Sequence, residues 1–128
     1  MENEKIKTRT NRIYMDENGI IRSQISPGAE ITIEDIKEDF AAFSQITAGN
    51  KAPCLTDMRG IKSINREARE YLSSLEAFRF ISASALLIGS PVSKMIGNFF
   101  LGINKPPYPT KMFTSEAKAF EWLKEFIE

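Results

Sequence analysis

Cys54 to Arg69 reads Cys-Leu-Thr-Asp-Met-Arg-Gly-Ile-Lys-Ser-Ile-Asn-Arg-Glu-Ala-Arg, an apolar run that ends on an acid and passes into a helix start. Asp57 stands at the carboxyl end of an expected strand, the edge where open α/β sheets place their ligands. Arg59, Lys62, Arg66 and Arg69 gather around a helix N-terminus, and cations beside free backbone N–H groups suit an anionic ligand. Glu67 and Glu70 interleave with them, which equally suits an ordinary solvated face. Asp57 can pair with Arg59 or Lys62, and Ser63 or Asn65 can cap the helix. A hydrolase or isomerase built on Asp57, with Lys62 or Lys94 as partner, requires a strongly shifted lysine or acid. The chain contains no histidine, so Ser-His-Asp and Cys-His nucleophile activation and all His-containing zinc sites are excluded. The expected contact set is therefore Asp57, Arg59, Lys62, Ser63, Asn65 and Arg66, with no catalytic residue, metal ligand or cofactor assigned.

The elements that must position this set follow from composition and periodicity. A chain of 128 residues, 42% hydrophobic and 27% charged, fits one globular domain with its own core. Seventeen basic and seventeen acidic residues cancel, which removes the positive field by which nucleic-acid binders attract phosphate. A single cysteine in an apolar run, an N-terminus without a secretory pattern and the lack of a membrane-length apolar segment point to a cytoplasmic protein with no stable membrane insertion.

Residues 1–10 are polar and are expected to be a flexible segment preceding one domain over 11–128. Arg12–Met15 and Ile20–Ile25 flank Asp16-Glu-Asn-Gly19, a strong hairpin signal. Thr32 and Asp35 form a capping-box pattern before a helix with Ile33, Ile36, Phe40 and Phe43 on one face. Cys54–Asp57 is the third strand. A second helix is expected from Ser63 or Asn65 to just before Ser82, burying Ala68, Tyr71, Leu72, Leu75 and Phe78. Ala83–Ile88 reads as a central strand whose small residues invite a helix to pack closely.

Ser90-Pro91 opens a third helix reaching Ile103, ended by Lys105-Pro-Pro-Tyr-Pro109. That helix is apolar around much of its circumference. It is expected either to be buried between the sheet and the last helix or to present Met95, Asn98 and Phe99 as an interface. Gly97 and Gly102 inside it suggest close backbone approach. Lys111–Phe113 is the last strand, and Thr114 caps a final helix carrying Ala117, Phe120, Trp122, Leu123 and Phe126. The order β-β-α-β-α-β-α-β-α predicts an α/β fold with one mixed sheet of about five strands and four helices.

This order, together with Leu55-Thr-Asp57-Met-Arg-Gly60-Ile61 and the run from Gly97-Asn-Phe-Phe-Leu101 through Pro109, Lys111-Met-Phe113 and Trp122-Leu-Lys124, resembles the STAS superfamily, the fold of the anti-sigma-factor antagonists. It is most similar to the bacterial proteins grouped as STAS/SEC14-like domains. The resemblance implies a non-enzymatic regulatory module that acts through a protein partner or as a homodimer. In the antagonists the strand-to-helix loop ends in an Asp-Ser pair whose serine is phosphorylated; Asn65 and Arg66 occupy those positions here, so the acceptor is missing. The SEC14-like relatives imply an alternative, a carrier of a small apolar or anionic molecule or a lipid, with a pocket lined by aromatics of the third and last helices.

Overall fold

The computed structural model describes residues 5–127. A six-stranded sheet runs in the order β1-β2-β3-β5-β7-β8. Its strands are β1 (Lys5–Lys7), β2 (Asn11–Met15), β3 (Ile21–Ile25), β5 (Ala52–Asp57), β7 (Ile81–Leu87) and β8 (Thr110–Phe113). The first three strands are antiparallel and the remaining pairs are parallel. Two further short strands, β4 (Glu30–Ile31) and β6 (Ser63–Ile64), pair with each other outside that sheet. The four helices are α1 (Ile33–Thr47), α2 (Arg66–Leu72), α3 (Pro91–Leu101) and α4 (Glu116–Leu123).

The expected hairpin forms between β2 and β3. Asp16 Oδ1 accepts from the Asn18 and Ile20 N–H groups at 2.9 and 3.1 Å, and Gly19 supplies the positive φ of 83° that the turn requires. The sheet has six strands rather than about five, because β1 adds an edge strand opposite β2, with Ile6 facing Ile13. Three residues with a single apolar member are too short to show a period of two. The flexible segment expected over residues 1–10 falls partly on residues 1–4, which lie outside the described residues; residues 5–7 belong to the sheet.

Each face of the sheet has its own core. Ile13, Ile21, Cys54 and Leu86 point to the face roofed by α1, α2 and α3 through Phe40, Phe43, Tyr71, Leu72, Ile96 and Phe100. Leu55, Ala83, Ala85 and Leu87 point to the other face, where Ala119 and Leu123 of α4 pack directly on them. The small residues of β7 thus receive a helix, as their size suggests. They receive α4 alone, however, so α3 is not buried between the sheet and the last helix, and among the described residues the aromatics of those two helices pack on opposite faces of the sheet.

Two helix expectations change. The second helix ends at Leu72, where Ser73 and Ser74 turn their hydroxyls back onto the carbonyls of Glu70 and Tyr71 at 3.0 and 2.6 Å, a local competition that ends the helical ladder. A separate 3-10 turn spans Ala77–Arg79, and Leu75 is 81% exposed instead of buried. The last helix is capped by Ser115, whose Oγ accepts from the Lys118 N–H at 3.3 Å, rather than by Thr114.

Candidate functional site

Asp57 ends β5 and is clamped by its near neighbour. Arg59 Nε and an Arg59 terminal nitrogen donate to the two carboxylate oxygens at 3.0 and 2.8 Å, and the Arg59 backbone N–H donates at 3.1 Å. Burial pulls the Asp57 carboxyl upward, but these bonds and the guanidinium charge outweigh it and hold the group below the ordinary carboxylate range. The other expected cations are also paired, Lys62 with Glu30 at 4.0 Å and Arg66 with Glu70 at 3.3 Å. Arg69 donates to the Ile64 carbonyl and to Asn104 and lies 4.3 Å over the Phe99 ring. This edge is therefore close to electrically balanced.

The loop beyond Asp57 is held by backbone bonds. Gly28 N–H donates to the Gly60 carbonyl at 2.8 Å, Lys62 N–H to Ala29 at 2.9 Å and Asn65 N–H to Ile31 at 3.1 Å. Those bonds carry Ser63 into β6, where it is exposed and caps no helix. Asn65 is the cap, its Oδ1 accepting from the Ala68 N–H at 2.9 Å. The structure thus brings Asp57 and Arg59 into one clamp and places Ser63, Asn65 and Arg66 along the rim leading into α2.

A second feature is not legible in any single segment. The sheet face under α1, α2 and α3 carries Asn11, Ser23, Cys54, Thr56, Ser84 and Thr110 along the wall of a cavity of about 90 Å³. Strand register assembles the row: Ser23 is beside Thr56, Cys54 beside Ser84, and Ser84 beside Thr110. Small side chains on this floor leave the space that larger ones would fill, at a stability cost of about 2 kcal/mol for that volume.

Asp39 of α1 closes one part of this cavity and is only 6% exposed. Its Oδ1 accepts from Thr8 Oγ1 at 2.9 Å and its Oδ2 from Asn11 Nδ2 at 3.2 Å. Burial pushes its pKa up to about 6, against the opposing effect of those bonds. Burial likewise pushes the Cys54 thiol up to about 12, with the Asp39 charge adding to it. The apolar stripe expected for the first helix, Ile33, Ile36, Phe40 and Phe43, does not include Asp39; the signal that could have found it is its spacing of four from Asp35 and Phe43, within reach of the buried stripe.

The outer face of α3 is the third feature. Ser93, Ile96, Gly97 and Phe100 are buried, and a Cβ at Gly97 would overlap Met112 Sδ, the close approach its type suggests. Gly102 meets only the Asn98 carbonyl of its own helix and serves as the C-cap. The opposite side leaves Met95 55% and Ile103 84% exposed, with Val92 and Leu101 also exposed. Met95, Asn98, Phe99 and Ile103 line a shallow groove with Pro91 and Lys94. The three expected interface residues therefore share one surface.

Comparison with known proteins follows this geometry. Residues 13–127 match the family described as a domain of unknown function, DUF7793. The chain belongs to that family. Its backbone is similar to an uncharacterized protein of the DUF3478 family with a SpoIIAA-like fold from Shewanella loihica PV-4, with a TM-score of 0.59 at 15% identity, over 95% of this chain and 92% of that one. A protein of unknown function from Arthrobacter sp. FB24 is 32% identical over 92% of this chain and 95% of that one, with a TM-score of 0.35. No curated protein matches the chain. The Shewanella structure shows that this DUF7793 domain has the STAS-like fold that the element order resembles. Among the described residues, no helix is long and apolar enough to cross a membrane.

Proposed function

We propose that this DUF7793 domain is a non-enzymatic protein-contact module whose recognition surface is the outer face of α3. The carrying observation is the exposure of Met95 and Ile103 on one helix and its C-terminal turn, in a groove also lined by Asn98 and Phe99. Apolar surface gathered in this way marks contact sites more than scattered apolar residues do. The Asp57 to Arg66 rim adjoins that helix, with the Arg59 side chain against Gly89 just before α3 and Arg69 over the Phe99 ring, and offers charged, paired groups as a polar border. Asp57, held ionised by Arg59, is a weak base, which supports a binding role for that edge over hydrolysis or isomerisation. Asn65 is engaged as a helix cap and Arg66 in an ion pair, so this reading includes no phosphate-accepting switch at those positions. Sedimentation of the free chain, with affinity capture from native cell extract using wild type and Met95→Glu, tests the assignment. Self-association or a captured partner lost in the variant supports it; a monomer whose captured proteins are unchanged by Met95→Glu rejects it.

A further inference from the structure

The cavity beneath α1, α2 and α3 has a chemistry independent of the α3 surface. Most of its wall is apolar, with Ile36, Phe43, Ile96 and Phe100 in the roof. At the Asp39 side the groups are acceptors. Each Asp39 oxygen takes one hydrogen bond, which leaves further lone pairs. Asn11 spends its amide donors on Ser23 Oγ at 2.6 Å and on Asp39, while its buried Oδ1 has no hydrogen-bond partner among the described residues. Among the described residues Asp39 also makes no ion pair, and Arg9, in the loop between β1 and β2, is engaged by Asp35. A buried carboxylate without a cation and an amide oxygen without a donor ask for the same thing: a small positively charged donor.

We infer that this cavity is a binding site for a short alkylammonium ion. Its ammonium group donates to Asp39 and Asn11 Oδ1, and its short apolar body fills the space between Ser84 and the Phe43 and Phe100 rings. The volume of about 90 Å³ is smaller than the roughly 150 Å³ cavity that takes one benzene, so the ligand has about three non-hydrogen atoms. A lipid chain exceeds that space. Complementarity arises from three separate segments: the β2 amide, the α1 carboxylate and the β7 floor.

Ethylammonium is the matched probe, and ethanol is its neutral counterpart of equal shape. Amide chemical-shift titration of the whole chain is expected to show saturable changes at Asn11, Ser23 and Asp39 with ethylammonium, and binding about tenfold weaker with ethanol. Asp39→Asn is expected to erase that preference. Ser84→Leu, which fills the floor away from the carboxylate, is expected to abolish binding of both probes while the spectrum stays folded; Ser84→Val is the milder replacement should the leucine overpack. No saturable change with ethylammonium, an equal response to the two probes, or a preference that survives Asp39→Asn overturns the assignment.

Discussion

Asp57 and Arg59, two residues apart, form a closed clamp in which one carboxylate accepts three hydrogen bonds from one residue's side chain and backbone. The guanidinium is over half exposed while the carboxylate is largely covered, so the two halves carry unequal weight. Arg59→Ala is expected to cost up to about 1 kcal/mol, as for partly exposed pairs. Asp57→Ala is expected to cost more, because it also removes the acceptor of the Arg59 N–H at the end of β5. Urea unfolding of the two variants checks the order. Since the Asp57 pKa is lowered on folding, its contribution is present above the unfolded carboxylate value and is lost as pH falls through the folded one. Asp57→Asn should therefore flatten the acid limb of stability.

Asp39 gives the opposite sign. Its folded pKa of about 6 lies above the unfolded value, so the native state holds the proton more tightly. Stability from this group is highest below about pH 4, declines between about 4 and 6 and stays lower above, by up to about 3 kcal/mol for a shift of about two units. Thr8 and Asn11 donate to it, Glu38 and Asp35 raise its pKa further, and the neutral Cys54 thiol stands within its field. Asp39→Asn is expected to stabilise the protein near neutral pH and to remove that decline. Thermal unfolding across the range measures both.

Gly97 is required by packing. Gly97→Ala is expected to cost about 1–3 kcal/mol through its overlap with Met112. Met112→Ala should relieve part of that cost, so the double variant is more stable than the sum of the single changes predicts. A double-mutant cycle in denaturant reads the coupling directly.

Met95 and Ile103 should contribute to contact without contributing to folding. Met95→Glu and Ile103→Glu are expected to change stability by less than about 0.5 kcal/mol, because both side chains are exposed. The same changes should weaken self-association or partner capture, read by sedimentation and pull-down.

Cys54 is fully buried with its thiol pushed up to about 12. A thiol reagent at mildly alkaline pH is expected to leave it unmodified in the native protein and to label it only on unfolding, so the labelling rate follows opening of the β5 core. Rapid labelling of the folded chain would contradict this burial.

Much of the site was legible where its cause is local. The Asp57–Arg59 pair and the Asn65 cap span two or three residues, and chemistry at that spacing is visible in the chain itself. Ser63 was read as a possible helix cap because its place in β6 depends on Ile31 and Ala29, more than thirty residues earlier. The basic character expected around α2 dissolved for the same reason: Lys62 meets Glu30, an acid from a different loop.

By itself the sequence determined the hairpin, the capping of α1 and α3, the four helices and their alternation with strands, since turns, caps and apolar periods act within about ten residues. Tertiary structure decided which face of the sheet each helix covers, sending α4 to one side and α3 to the other. It also assembled the polar floor from Asn11 to Thr110 and set Asp39 over it. Those features depend on strand register and on contacts between distant segments, so no local window contains them, and the cavity exists only when seven strands and three helices have met.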